Sequence, residues 1–142
     1  MHVRLEPDAY LPGRWRVERT LHDARLGDGA FTGTASFEPD DEGGLDWLET
    51  GRLELGGHVG PARRRLRVTR EGGAWMVRFD DGRPFHPLTL RCETSAVAHR
   101  CGEDTYAGEY VVLGPDAFDV AWRVSGPAKD QRIASRYRRS AG

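Results

Sequence analysis

A two-residue alternation, interrupted about every five to ten residues by glycine- and proline-rich turns, decides what this chain can become. In RWRVERTLHD, Trp15 and Val17 alternate with Arg16 and Glu18. AFTGTASFEP places Phe31, Gly33, Ala35 and Phe37 on one face, and LDWLETGRLEL sets Trp47, Leu53 and Leu55 around Gly51. In ARRRLRVTR, Leu66 and Val68 point one way while Arg65 and Arg67 point the other. AWMVRFD, FHPLTLRC, TYAGEYVVL, AFDVAWRVSG and RIASRYRR continue the series. Successive side chains of a strand lie on opposite faces, so this period builds half-buried strands, and no long 3.6-residue apolar stripe competes with it. The turns DDEGG, REGG, DDG and LGPDA have the composition hairpin connections require. The chain therefore reads as all-β, with about nine or ten strands in an antiparallel meander. Such a sheet must curl shut or leave raw edges, and a single up-and-down barrel is the economical answer. EPDAYLPG is the one helical candidate, a short N-terminal turn capping the barrel. Pro87, inside FHPLTL, removes a ladder donor and marks a strand start, an edge or a bulge.

The 142 residues suit one domain, 1–142, and 38% apolar residues suffice for one core. A net charge of −1 provides no global field for nucleic acid or an anionic membrane. The arginine runs ARRRLRVTR and RIASRYRR read as solvated faces: acidic Glu38, Asp40, Asp41 and Glu42 balance them, and no stacking aromatics are interleaved. No apolar run is long enough for a membrane helix, and the start, MHVRLEPDAYLPG, lacks an apolar signal core, so a cytoplasmic location is expected. Cys92 and Cys101 fit a reducing compartment, although a short hairpin could bring them within disulfide reach. A homodimer is left open.

LPGRWRV near the start and IASRYRR near the end resemble the lipocalin–calycin pattern. The resemblance implies that Gly13 and Trp15 open the first strand and that Arg136 or Arg138 of the last strand packs over the indole to close the barrel floor. A guanidinium over an indole contributes about 0.5–2 kcal/mol. FDDGRPFH, AHRCGEDTYAGEY and WRVSGPAKD, taken with those two ends, resemble an uncharacterised family of small, single-domain, lipocalin-like microbial proteins of unknown function. This second resemblance implies the barrel and assigns no reaction. Gln131 stands where that family leads one to expect an aromatic residue.

The stretch VAHRCGEDTYAGEY concentrates the chemistry. On a strand, His99 and Cys101 share a face; GED is a turn that leaves Asp104 at a strand end; Tyr106 and Tyr110 then share a face of the next strand. Placing His86 on the inner face of FHPLTLRC would bring His86, His99, Cys101 and Tyr106 together inside one barrel end, with Arg83 of the DGRP turn at the rim and Arg64 alternating with the inward Leu66. The expected function is binding of a small, partly apolar molecule whose negative or carbonyl end is held by Arg64 or Arg83, with Cys101, Asp104 and Tyr110 alongside. In an enzyme version His86, His99 and Tyr106 transfer protons or isomerise a substrate without a cofactor, since histidine titrates near neutral pH. No cofactor is expected. The alternatives are a metal on His99, Cys101 and Asp104 with His86 as fourth donor, although the spacing is not that of a zinc finger, and a non-covalent haem on a lone histidine. A nucleophilic Cys101 beside His99 is weaker, because a cysteine by default behaves as a small buried hydrophobe and no Gly-x-Ser-x-Gly, P-loop or dinucleotide fingerprint is present. In a third version side chains fill the barrel and the protein is structural or an interaction module. Trp15, Trp47, Trp75 and Trp122 are expected in the core and the pocket wall.

Overall fold

The computed structural model describes residues 4–92 and 95–140, with the Cys101 side chain outside the description. The elements in chain order are β1 (Arg4–Leu5), α1 (Pro7–Tyr10), β2 (Gly13–Asp23), β3 (Gly27–Pro39), β4 (Leu45–Leu55), β5 (His58–Glu71), β6 (Ala74–Phe79) and β7 (Pro84–Leu88). They are followed by β8 (Leu90–Arg91), β9 (Ser95–Cys101), β10 (Asp104–Gly114), β11 (Ala117–Ser125) and β12 (Asp130–Arg139). Ten strands form one antiparallel sheet in the order β7-β6-β5-β4-β3-β2-β12-β11-β10-β9. The meander expected from the sequence is thus present, and it rolls into a nearly closed barrel.

The two edge strands, β7 and β9, meet along a seam. There the Phe85 ring packs edge-on against His99 at 5.5 Å and face to face with Phe79 at 4.6 Å. Pro87 explains why the sheet stops here. It has no N–H to donate, so its strand cannot be paired on both sides, and the β6–β7 register shifts between Val77 and Arg78. That irregularity upsets the strand parity, and both Phe85 and His86 are buried although they are adjacent.

Curvature comes partly from glycine. Gly33 on β3 faces Gly51 on β4, and a Cβ added to Gly33 would lie 2.1 Å from the Thr50 carbonyl oxygen and 2.7 Å from the Gly51 Cα. Only a missing side chain lets the two strands fold this tightly, which makes a corner in the barrel wall.

One barrel end is packed solid. Trp15 is fully buried, its Nε1–H donates to the Leu11 carbonyl at 2.9 Å, and the Phe118 ring meets it edge-on at 4.9 Å. The guanidinium over this indole belongs to Arg139, 4.1 Å from the ring centroid. Arg136 and Arg138 are the residues the terminal motif suggested, but strand parity turns them outward: Arg136 pairs opposite Glu18, and Arg138 reaches Asp119 at 2.8 Å. Arg139 also donates to the carbonyls of Tyr10 and Pro12, tying the last strand to α1 and its exit. The small β1–β8 sheet completes this closed end.

Candidate functional site

Beyond the packed end, the inner face of the barrel changes character. Along β2 the inward series is Trp15, Val17, Arg19 and Leu21, and along β4 it is Leu45, Trp47 and Glu49. Two opposite charges thus sit on the apolar parity. On β5 the inward residue two before Leu66 is Arg64, which lies directly across the ladder from Glu49.

Glu49 is 1% exposed and gathers four partners. Its Oε1 accepts from Arg19 Nη2 at 2.8 Å and from Arg64 Nε at 3.0 Å. Its Oε2 accepts from Trp47 Nε1 at 3.0 Å and from the Tyr137 hydroxyl. Arg19 extends the network through Nε to the Ser135 hydroxyl at 2.7 Å. Burial works against the Glu49 charge; the guanidiniums of Arg64 and Arg19 outweigh it and hold the carboxyl below its usual range. Burial, with the carboxylate close by, pushes the Tyr137 hydroxyl far upward, so it stays a donor. Two positive groups share one negative group, and a surplus positive charge remains inside the barrel.

Above this network lies a hollow of about 200 Å³, walled by Arg64, Phe85, Tyr106, Tyr110, Trp122 and Tyr137 among others. A second space of about 130 Å³ adjoins it across Arg19, Leu21 and Arg64. Together they reach the low end of small-molecule sites, about 300 Å³. Although Arg64 sits inside the barrel, 43% of its side chain is accessible, because it borders the hollow. Among the described residues only its Nε has a hydrogen-bond partner, which leaves the two Nη groups free to donate. Trp122 lies flat over Gly108, where an added Cβ would come within 2.6 Å of the indole, and stacks on Phe85 at 5.2 Å and 16°.

Of the residues singled out from sequence, Arg64, Tyr106 and Tyr110 border this hollow. His86 lies behind Tyr110 and is 2% exposed. Its Nδ1 donates to the Pro87 carbonyl at 2.8 Å, which fixes the tautomer and leaves Nε2 to accept from the Tyr110 hydroxyl at 3.4 Å. His99 is at the seam, 6.0 Å from the Tyr106 ring, with Phe85 between it and His86. Arg83 is pinned to Asp81 of its own turn at 2.7 Å and is 70% exposed. Asp104 pairs with Lys129 at 3.3 Å. Cys92 is free and exposed, and the Cys101 side chain lies outside the description. Among the described residues no three His, Cys, Asp or Glu side chains gather to hold a metal ion. Arg19, Glu49, Ser135 and Tyr137 are site residues the sequence reading did not single out.

Burial holds the His86 pKa down to about 4 from its ordinary 6.5, against the pull of the Pro87 hydrogen bond. The unfolded chain therefore binds a proton that the fold excludes between those two values. Stability contributed here is complete above pH 6.5, and falls by ~3 kcal/mol as the pH drops to about 4. Urea unfolding at pH 7 and pH 4.5 should show a steeper loss for the native chain than for His86→Phe. Equal losses in the two proteins would remove His86 as the cause.

A larger concavity, about 930 Å³, lies on the outside of the barrel, floored by Ala98, Ala107, Ala121 and Ala134 and rimmed by Glu109 and Arg123. Strand parity turns these alanines away from the hollow.

The model of a family of unknown function (DUF6314) matches residues 11–139. No curated protein matches the chain. Among solved structures, a protein of unknown function from the DUF3598 family of Nostoc punctiforme is similar with a TM-score of 0.66 at 14% identity, over 98% of this chain and 51% of that one. This chain thus spans about half that protein's length. The S-type phycobiliprotein lyase CPES from Guillardia theta is similar with a TM-score of 0.62 at 9% identity, over 95% of this chain and 91% of that one. A redesigned β-barrel, mFAP1, bound to DFHBI, gives 0.51 at 17% identity, over 95% and 100% of the two chains. At these identities the likeness shows the fold, one that ligand-binding barrels share.

Proposed function

The chain belongs to this family of unknown function (DUF6314), and we propose that its members' barrel, as seen here, binds a small, partly apolar molecule by its polar end. The observation that carries this reading is Arg64. Its guanidinium is anchored at one edge by Glu49 and offers its other donors to an aromatic-walled hollow. Those donors are accessible from the hollow and engaged by no other side chain among the described residues, so an acceptor that enters meets a fixed, charge-assisted hydrogen-bonding edge. The molecule's negative or carbonyl end supplies that acceptor, and Phe85, Trp122 and Tyr110 cover its apolar body. The redesigned barrel that holds DFHBI supports the reading in general terms, since the same architecture there accommodates a small molecule.

Catalysis by His86, His99 and Tyr106 is less well supported. Phe85 separates the two imidazoles, and a His86 with its pKa near 4 stays neutral at pH 7 behind Tyr110. Binding accounts for the arrangement without a proton-transfer step.

Native mass spectrometry of the protein purified from its own host tests the reading. The native chain should retain a small molecule, Arg64→Gln should retain it at clearly lower occupancy, and Ile133→Trp, which fills the hollow, should retain none. A chain that carries nothing, or an Ile133→Trp variant that carries the same mass at the same occupancy, would count against a ligand in the hollow.

A further inference from the structure

We infer that the ligand is a planar aromatic acid of one or two rings, bound as a single anion with its carboxylate on Arg64. The inference rests on the reading of the hollow as a ligand site and narrows it in charge, shape and size.

Charge comes first. Arg19 and Arg64 bring two positive charges and Glu49 brings one negative, its Oε1 lying 2.8 Å from the first guanidinium and 3.0 Å from the second. A second buried carboxylate is what would neutralise the group, and among the described residues none faces the hollow. A monoanion fits this balance; a dianion would reverse it, and a cation would meet repulsion. The free Nη1 and Nη2 edge of Arg64 presents the two-pronged donor geometry that a carboxylate accepts. Arg64 is also held in place before any ligand arrives: Glu49 grips its Nε, and Trp47 lies under its guanidinium at 5.5 Å.

Shape comes from the walls. Phe85 and Trp122 are nearly parallel, at 16°, while Tyr106 and Tyr110 stand edge-on to Trp122 at 76° and 89°. Flat faces and ring edges at right angles suit a flat guest, which stacks against one wall and meets the others through its rim. A flexible alkyl chain would gain no such directional contact and would lose rotamer freedom on entry.

Size follows from volume. About 200 Å³ is room for roughly seven waters at about 30 Å³ each. That accommodates one or two fused rings beside Arg64.

Calorimetric titration of the full chain with 2-naphthoate, its neutral isostere 2-naphthamide and decanoate tests the inference, with circular dichroism confirming each variant's fold. The expected result is that 2-naphthoate binds, and that the amide binds roughly tenfold to a hundredfold more weakly. Arg64→Gln should abolish the difference between acid and amide, and Arg64→Lys should keep most of it. Ala121→Glu, in the outer groove, should change neither affinity. Equal binding of acid and amide, independent of Arg64, would overturn the anion and leave the hollow as a binding site. Decanoate binding with 2-naphthoate excluded would overturn the aromatic class in the same limited way. Loss of 2-naphthoate binding in Ala121→Glu would move the site to the outer groove and overturn both the inference and the reading beneath it.

Discussion

Glu49→Gln should destabilise the protein by about 3–5 kcal/mol, the cost of breaking a buried ion pair from one side. The neutral amide leaves Arg19 and Arg64 without the carboxylate charge that reconciles them, and its single carbonyl oxygen can serve either the arginines or the Trp47 and Tyr137 donors but not both. Desolvation is already paid in the native chain, so the loss is that of an uncompensated charge rather than of one hydrogen bond. Urea unfolding at pH 7 reads it directly. Combining Glu49→Gln with Arg19→Leu should recover part of the loss, because one of the two orphaned charges goes too, and the double variant measures that coupling. A cost below about 1 kcal/mol for Glu49→Gln would mean that water reaches the cluster as it reaches a surface pair.

Trp15→Ala should cost about as much, roughly 3–5 kcal/mol, by a different mechanism. The indole is fully buried between Tyr10, Phe118 and the Arg139 guanidinium, and its N–H satisfies the Leu11 carbonyl. Truncation opens a cavity at the closed end, orphans that carbonyl and removes the surface on which Arg139 rests. Arg139→Ala should cost less, since the indole stays packed by its aromatic neighbours. An unfolding midpoint unchanged by Trp15→Ala would contradict the assignment of this end as the barrel's floor.

Much of the barrel was legible because period-two patterning is a local property. Trp15 and Val17, Phe31 and Phe37, and Leu66 and Val68 each declare their face within one strand, and Gly-rich turns declare where strands end. The terminal arginine was misplaced by one or three positions because a motif was followed instead of parity. Tyr137 and Ser135 are inward, so Arg139 is inward and its even-numbered neighbours Arg136 and Arg138 are not. The neighbourhood of the site was less legible. The sequence reading set FHPLTLRC beside VAHRCGEDTY as consecutive hairpin strands, whereas β7 and β9 are the two ends of the sheet and meet without a ladder between them. Adjacency across a seam leaves no local trace. The Glu49 network did leave one: Glu49 and Arg19 occupy inward positions of otherwise apolar alternations, opposite in sign on different strands. Looking for charges at core parity, rather than for crowded His, Cys and Tyr, would have found it.

The unpaired boundary between β7 and β9 has a mechanical meaning. Elsewhere the wall is stitched by strand ladders, but along this line, among the described residues, side chains join the two edges: the rings of Phe79, Phe85 and His99, and the Tyr110 hydroxyl on His86. Side-chain packing can part and re-form without breaking a ladder, so fluctuations of the wall should concentrate there. Phe85 belongs both to this line and to the lining of the hollow. The part of the wall freest to move is therefore also a part of the wall that the hollow presents to its contents.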